Sequence, residues 1–422
     1  MTPLKNHLQE IIAKLIDLNK KGMDIRKFVT LTTLVNAAVQ LNDPTLKKSI
    51  RVLRSLGTDL FSSFERSRKT FGITSTPTHT GPPLIGLVGR LPKEITFDET
   101  PHLPGPQTVT VAYLREPEYL GQKLANDFSV GAVGLPPGLI HYPLLWGGIL
   151  CHEIGGHYIL GADEKLLPEL QRKVYTALSR KYSEPRLSLL APLWRYWTEE
   201  AASDVRGVFL LGPSFGFGTI AVYTALFPLW FKSNGEFSTR YDEKNWHPLS
   251  ILIPDLICGA LEQLQDLSES IRGRYIAQIA EIAQRYSEKT TEVQFENGAF
   301  VRDPSNANDE NKYTTLSGSI PLREMRESAR FVGGYIATVK LDALNGHCLR
   351  DLGSWSNDHE DMALAVGEQK PTAPKHLANR PSKRHTPPTP MQLIAGSMLA
   401  AVHQPNRHDD LNKALFEAFN LM

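Results

Sequence analysis

His152-Glu153-Ile154-Gly155-Gly156-His157 follows directly on the uncharged run Tyr142-Pro143-Leu144-Leu145-Trp146-Gly147-Gly148-Ile149-Leu150-Cys151. Two neutral imidazoles presented by one helix can grip a divalent metal, and a carboxylate beside them can take a proton from water held there. The zinc-hydrolase pattern H-E-x-x-H sets its histidines four apart, on one helical face. Here they stand five apart. At about 100° per residue that spacing swings one side chain about 140° from the other on an ideal α-helix. A π-type turn takes up the extra residue and brings the rings back together. Gly155 and Gly156 lie in the gap, where missing Cβ atoms lower the steric cost of such a turn. In a purely structural helix each would cost roughly 1 kcal/mol against Ala. The spacing therefore predicts a helix with one loosened turn.

With 13 His and 45 acidic residues in 422, chance supplies the hexapeptide pattern roughly 0.04 times, so it needs a partner elsewhere in the chain. The partner is Trp197-Thr198-Glu199-Glu200-Ala201-Ala202-Ser203-Asp204-Val205-Arg206-Gly207. Zinc hydrolases with two histidines take their third ligand from a second helix, and a further carboxylate fixes the tautomer of a ligand imidazole. Glu200 and Asp204 stand four apart and share a helical face. One can bind the metal while the other holds an imidazole N–H, with Glu199 as a further supporting carboxylate. Cys151, Cys258 and Cys348 form no cluster of metal type and read as core residues.

His152 to His157 resembles the H-E-x-x-G-H signature of the dipeptidyl peptidase III metallopeptidases. Glu199-Glu200-x-x-x-Asp204 is similar to their second motif, with Asp204 where that family carries Glu. More broadly, the pair of motifs looks like the glutamate-zincin superfamily. The resemblance covers about 55 residues of motif context. It implies Zn2+ held by His152, His157 and Glu200, with Glu153 as general base and Asp204 in support. The implied reaction is hydrolysis of a peptide bond in a peptide or protein substrate. A donor to the developing oxyanion is also expected. The candidates are His247, Tyr158, Tyr223 and Tyr241. His247 is preferred, because Asn245-Trp246-His247-Pro248 resembles the downstream His-Pro of some membrane-associated glutamate zincins. A catalytically silent zinc-binding scaffold and a membrane-associated metallopeptidase are the alternatives.

A net charge of +1 with 22% charged residues gives no electrostatic footprint for nucleic acid. Three scattered cysteines argue against a disulfide framework. The start, Met1-Thr2-Pro3-Leu4-Lys5-Asn6-His7, shows no signal-peptide pattern, so a cytoplasmic protein is expected. No charged residue occurs between Arg206 and Lys232. Length alone would allow that run to span a bilayer. Gly212-Pro213-Ser214-Phe215-Gly216-Phe217-Gly218 interrupts it, which predicts a helix ending near Leu211, a turn, and a buried helix from about Thr219. The membrane is therefore not expected to be a partner. Oligomeric state is not readable.

The organisation expected is α+β and mostly helical, a zincin-like metallopeptidase core with a small sheet beside the motif helix. Residues 1–80 carry helical periodicity and form an N-terminal region, for example through Ile50, Leu53 and Leu56. Residues 81–286 form the catalytic core. Within it Leu84-Ile85-Gly86-Leu87-Val88 and Thr108-Val109-Thr110-Val111-Ala112-Tyr113-Leu114 read as strands, the second a candidate edge for an extended peptide. Gly134-Leu135-Pro136-Pro137-Gly138 reads as a rigid lead-in to the motif helix, and Pro254 to Tyr286 as amphipathic helix. Residues 287–365 form an accessory region, polar and at most fragmentarily sheet-like to Ser319, then helical from Pro321 to Leu344. Residues 366–390 have the composition of a Pro-rich linker or arm, and 391–422 return as a C-terminal helix.

Overall fold

The computed structural model describes residues 47–74, 82–87, 110–112, 132–135, 142–184, 187–221, 240–241, 247–287, 291–302, 313–367, 389–404, 406 and 408–421. In chain order its elements are α1 (Lys47–Thr70), β1 (Leu84–Leu87), β2 (Thr110–Ala112), β3 (Ala132–Leu135) and α2 (Pro143–His152). A π turn (Glu153–Tyr158), α3 (Leu166–Lys181), α4 (Leu190–Tyr196) and α5 (Thr198–Leu211) follow. Next come α6 (residues 213–221), β4 (Arg240–Tyr241), α7 (Ile253–Leu261) and α8 (Glu269–Ser287). The hairpin β5 (Glu292–Arg302) and β6 (Tyr313–Pro321) leads into α9 (Leu322–Thr338), α10 (Asn357–Gly367), α11 (Pro390–His403) and α12 (His408–Leu421). The described residues are mostly helical, as the periodicity predicts.

Two small sheets accompany the helices. In the first, of order β1-β3-β2, β3 pairs in parallel with β1 and antiparallel with β2. The residues expected as a rigid lead-in to the motif helix thus include a central strand, because Gly134 and Leu135 pair with Gly86 and Leu87. The second sheet, β4-β5-β6, corrects a further expectation. Residues 292–302 and 313–321, polar enough to suggest fragments at most, pair as long antiparallel strands with an irregularity between Phe295 and Ala299. An antiparallel hairpin can leave one face to solvent, so polar residues do not forbid it.

The glycine-rich stretch after Leu211 is also not the turn it resembles. Gly212 alone breaks the helix, at φ +66, and residues 213–221 are helical again. Gly216 faces Ile257 and Gly218 faces Met398, so these glycines make room for neighbours and do not bend the chain. Phe215, Phe217 and Ile220 are buried in the protein's own core. Among the described residues no helix is long and apolar enough to cross a membrane. Residues 222–231 and 366–388 fall outside the described parts, apart from the last turn of α10 at 366–367.

One apolar core runs through all these helices. α5 is its axis, in contact with the π turn, α2, α7, α9 and α11, and Ala201, Ala202, Val205, Val208, Phe209 and Leu211 on it are all buried. A helix with buried residues on nearly every side is stable only when surrounded. α1 presents Ile50, Leu53, Leu60 and Phe64 at helical spacing to the same core. The C-terminal return begins with a capping box, in which Thr389 Oγ1 accepts from the Gln392 N–H and Gln392 Oε1 accepts from the Thr389 N–H, with Pro390 opening α11.

α7 and α9 cross at closest range. A Cβ on Gly259 would lie 2.0 Å from the Arg330 carbonyl oxygen, and one on Gly333 would lie 2.1 Å from that of Leu256. Helix propensity alone favours Ala over Gly by about 1 kcal/mol. The obstruction here is backbone that cannot rotate away, so packing decides the sign. Gly333→Ala is expected to lower stability by about 3 kcal/mol, the upper end of overpacking costs. A urea midpoint that stays put or rises would contradict this account of the crossing.

Candidate metal centre

α2 runs through His152, and the next turn, Glu153–Tyr158, is a π-helix. A π turn closes hydrogen bonds between residues five apart, which brings His152 and His157 together on one side. Their Nε2 atoms are 3.2 Å apart. Neither glycine has positive φ, so it is their missing Cβ atoms and not a left-handed backbone that matter here. They are there because α5 lies against the turn. A Cβ on Gly156 would stand 2.4 Å from Ser203 Cα, and one on Gly155 would stand 2.2 Å from Leu210 Cδ1. Close approach of two helices is what the glycines supply.

That approach delivers three carboxylates. His152 Nδ1 faces Asp204 Oδ1 at 2.9 Å and His157 Nδ1 faces Glu199 Oε1 at 2.9 Å. Carboxylates accept, so both Nδ1 atoms donate, and each neutral ring is left with its lone pair on Nε2. Glu200 Oε2 is 3.2 Å from His152 Nε2 and 3.2 Å from His157 Nε2. Three electron-pair donors therefore form a nearly equilateral triangle. Ligand atoms about 2.0 Å from a tetrahedral zinc stand roughly 3.3 Å apart, so the donor set and its spacing fit that ion. Among the described residues these three form the group able to hold a metal.

The remaining site residues fall around the triangle. His247, far along the chain, brings Nδ1 to 3.1 Å from Glu200 Oε2. Pro248 follows it, and the backbone then enters a 3-10 turn at Ser250–Leu252 that leads into α7. Asp204 is buried at 1% exposure, whereas Glu199 at 38% and His247 at 30% border the solvent-facing side of the site. Glu153 is buried and electrostatically coupled to His152, His157, Glu200 and His247. Burial is the main reason its carboxyl titrates above the usual range, which makes it a stronger base than a solvated Glu. The other donor candidates fare differently from His247. Tyr158 is fully buried with its ring edge-on to Phe61. Tyr223 lies outside the described residues, and of Tyr241 only the backbone, in β4, is described. Cys151 is a buried core residue, and burial pushes its thiol up, away from the thiolate form.

Arg206 had no role in the sequence reading. It is fully buried, and its Nε donates to the Gly155 carbonyl inside the π turn at 3.3 Å. Ser203 was likewise unassigned, and its backbone is the surface on which Gly156 rests. A signal for Arg206 was present: it is the last charge before a long uncharged run, on a helix too apolar to face water.

The electrostatics of the triangle carry a pH prediction. Desolvation, the largest effect on His152, lowers it, but hydrogen bonds to Asp204 and Glu200 outweigh burial and lift it to about 10. Burial likewise lowers His157, while Glu200 and Glu199 raise it well above the ordinary imidazole range. Glu200 is pushed up by burial but held well below the carboxylate range by His157 and His247. The surrounding carboxylates therefore favour protonated imidazole in the metal-free protein, and a metal must compete with protons for the Nε2 positions. Zinc binding is expected to release protons, with affinity climbing as pH rises from 6 to 8. Calorimetric titration in buffers of different ionisation enthalpy measures this, and heats independent of the buffer would refute it.

Compared with protein-family models, curated proteins and solved structures, the chain matches none.

Proposed function

We propose that this chain is a zinc-dependent hydrolase, a metallopeptidase that cleaves peptide bonds in a peptide or protein substrate. The observation that carries the reading is the triangle of His152 Nε2, His157 Nε2 and Glu200 Oε2, with a carboxylate behind each imidazole. A site that held a metal only for stability would have four protein ligands, whereas three plus one open position is the arrangement of catalytic zinc. Zinc bound there would lower the pKa of a coordinated water toward about 7 and polarise a carbonyl.

The chain's own groups supply the rest. Glu153, buried beside the ligands, accepts a proton and returns it to the leaving amine. Asp204 and Glu199 hold the two rings in the tautomer that leaves Nε2 free. His247, partly exposed beside Glu200, would donate toward an oxyanion on its side of the triangle. A zincin-like core is in keeping with β2, which lies at the edge of its sheet and against the π turn. An extended peptide could add to such an edge. The burial of Phe215, Phe217 and Ile220 favours a site within the protein over a membrane-embedded one.

Metal analysis of the purified protein tests the foundation. The wild type is expected to carry about one zinc per chain and His157→Ala far less. A wild type purified with zinc present that holds none, and takes up none on titration, would sink the proposal.

A further inference from the structure

Arg206 is among the largest fully buried side chains, at 1% exposure. Its Nη1 donates to the Leu349 carbonyl at 2.9 Å and, at the 3.5 Å limit, to that of Gly353. Its Nε donates to Gly155 O. Every hydrogen bond described for it ends on a neutral backbone carbonyl. Burying a guanidinium without a carboxylate partner is expensive, and desolvation holds Arg206 down to about 10. A fold seeking only stability would place an apolar side chain there, as its neighbours Val205, Val208 and Phe209 do. The location of the acceptors explains the exception.

Gly155 lies midway between His152 and His157, in the turn whose irregular hydrogen bonding sets their separation. At the end of that turn the Ile159 N–H bonds Gly156 O and not Gly155 O. Arg206 projects from α5, the same helix that carries Glu199, Glu200 and Asp204. One side chain thus ties the histidine turn to the carboxylate helix, and anchors both to the 3-10 turn Leu349–Leu352, which is 143 residues further along the chain. Ser67 of α1 bonds the same anchor through the Leu352 carbonyl.

We propose that Arg206 is a positioning residue for the metal triangle: by holding the Gly155 carbonyl it fixes the π turn, and with it the distance from His152 Nε2 to His157 Nε2. This rests on the metal reading above, though not on hydrolysis. A lysine at 206 keeps the charge but replaces the two fixed donor nitrogens, Nε and Nη1, with a single ammonium that does not reproduce the planar fork.

The test uses Arg206→Lys and Arg206→Gln in the full chain. Helical content is followed by circular dichroism, zinc affinity by chelator competition, and the visible spectrum after loading with cobalt(II). Folded variants are expected to bind zinc about 10–100-fold more weakly, as loss of a supporting contact does at other metal sites. Their cobalt bands are expected to shift, a change that a loss of stability alone does not cause. Folded variants with wild-type zinc affinity and cobalt spectrum would overturn the proposal. So would failure of both variants to fold, which would assign Arg206 to the core. A wild type that takes up neither metal would instead refute the metal reading itself.

Discussion

Glu153→Gln is expected to retain zinc at the wild-type level and to lose peptide hydrolysis by about 10²–10⁴-fold, the usual worth of a positioned proton acceptor. The substitution keeps the shape of the side chain and removes only its ability to take a proton. Because Glu153 is not one of the three converging ligands, the triangle of His152, His157 and Glu200 should survive intact. Cleavage of a mixed peptide library, read by mass spectrometry, provides an assay that presumes no substrate. Equal cleavage by the wild type and by Glu153→Gln would remove Glu153 from the chemistry. A wild type that binds zinc tightly yet cleaves nothing would favour the silent scaffold.

Gly156→Ala should have the second-largest effect, and it tests geometry in place of chemistry. The new methyl would lie 2.4 Å from Ser203 Cα, well inside any real contact. Backbone cannot rotate aside, so α5 and the π turn must separate. Glu199, Glu200 and Asp204 would move with α5 while His152 and His157 stayed with the turn. The expected result is a zinc affinity at least about 10–100-fold weaker, together with a loss of about 3 kcal/mol in stability. Gly148→Ala is the control, since a Cβ there meets nothing within 4 Å; it should leave zinc binding unchanged and stabilise α2 by up to about 1 kcal/mol. Wild-type zinc affinity in Gly156→Ala would show that the contact with Ser203 yields without disturbing the site.

The residues of the candidate metal group were legible because their chemistry is local. His152 and His157 share one helical segment, Glu199, Glu200 and Asp204 share another, and helical geometry alone says which faces they present. The five-residue spacing even forecast the π turn. The purpose of Gly155 and Gly156 was not legible, because a glycine needed for φ and a glycine needed for a neighbour look alike in a string of letters. The same ambiguity made residues 212–218 look like a turn when only Gly212 breaks the helix.

Long-range placement was beyond reach for the same reason. Nothing near Asn245 or Pro248 says that His247 reaches Glu200, and nothing near Arg206 says that its acceptors are Gly155 and Leu349. The polar hairpin of β5 and β6 was hidden because strand pairing is a property of two segments and shows in neither alone. The sequence by itself determined which donors exist and how each helix displays them. Only the tertiary structure decided how closely α5 meets the π turn, and that distance turns five separate side chains into one site.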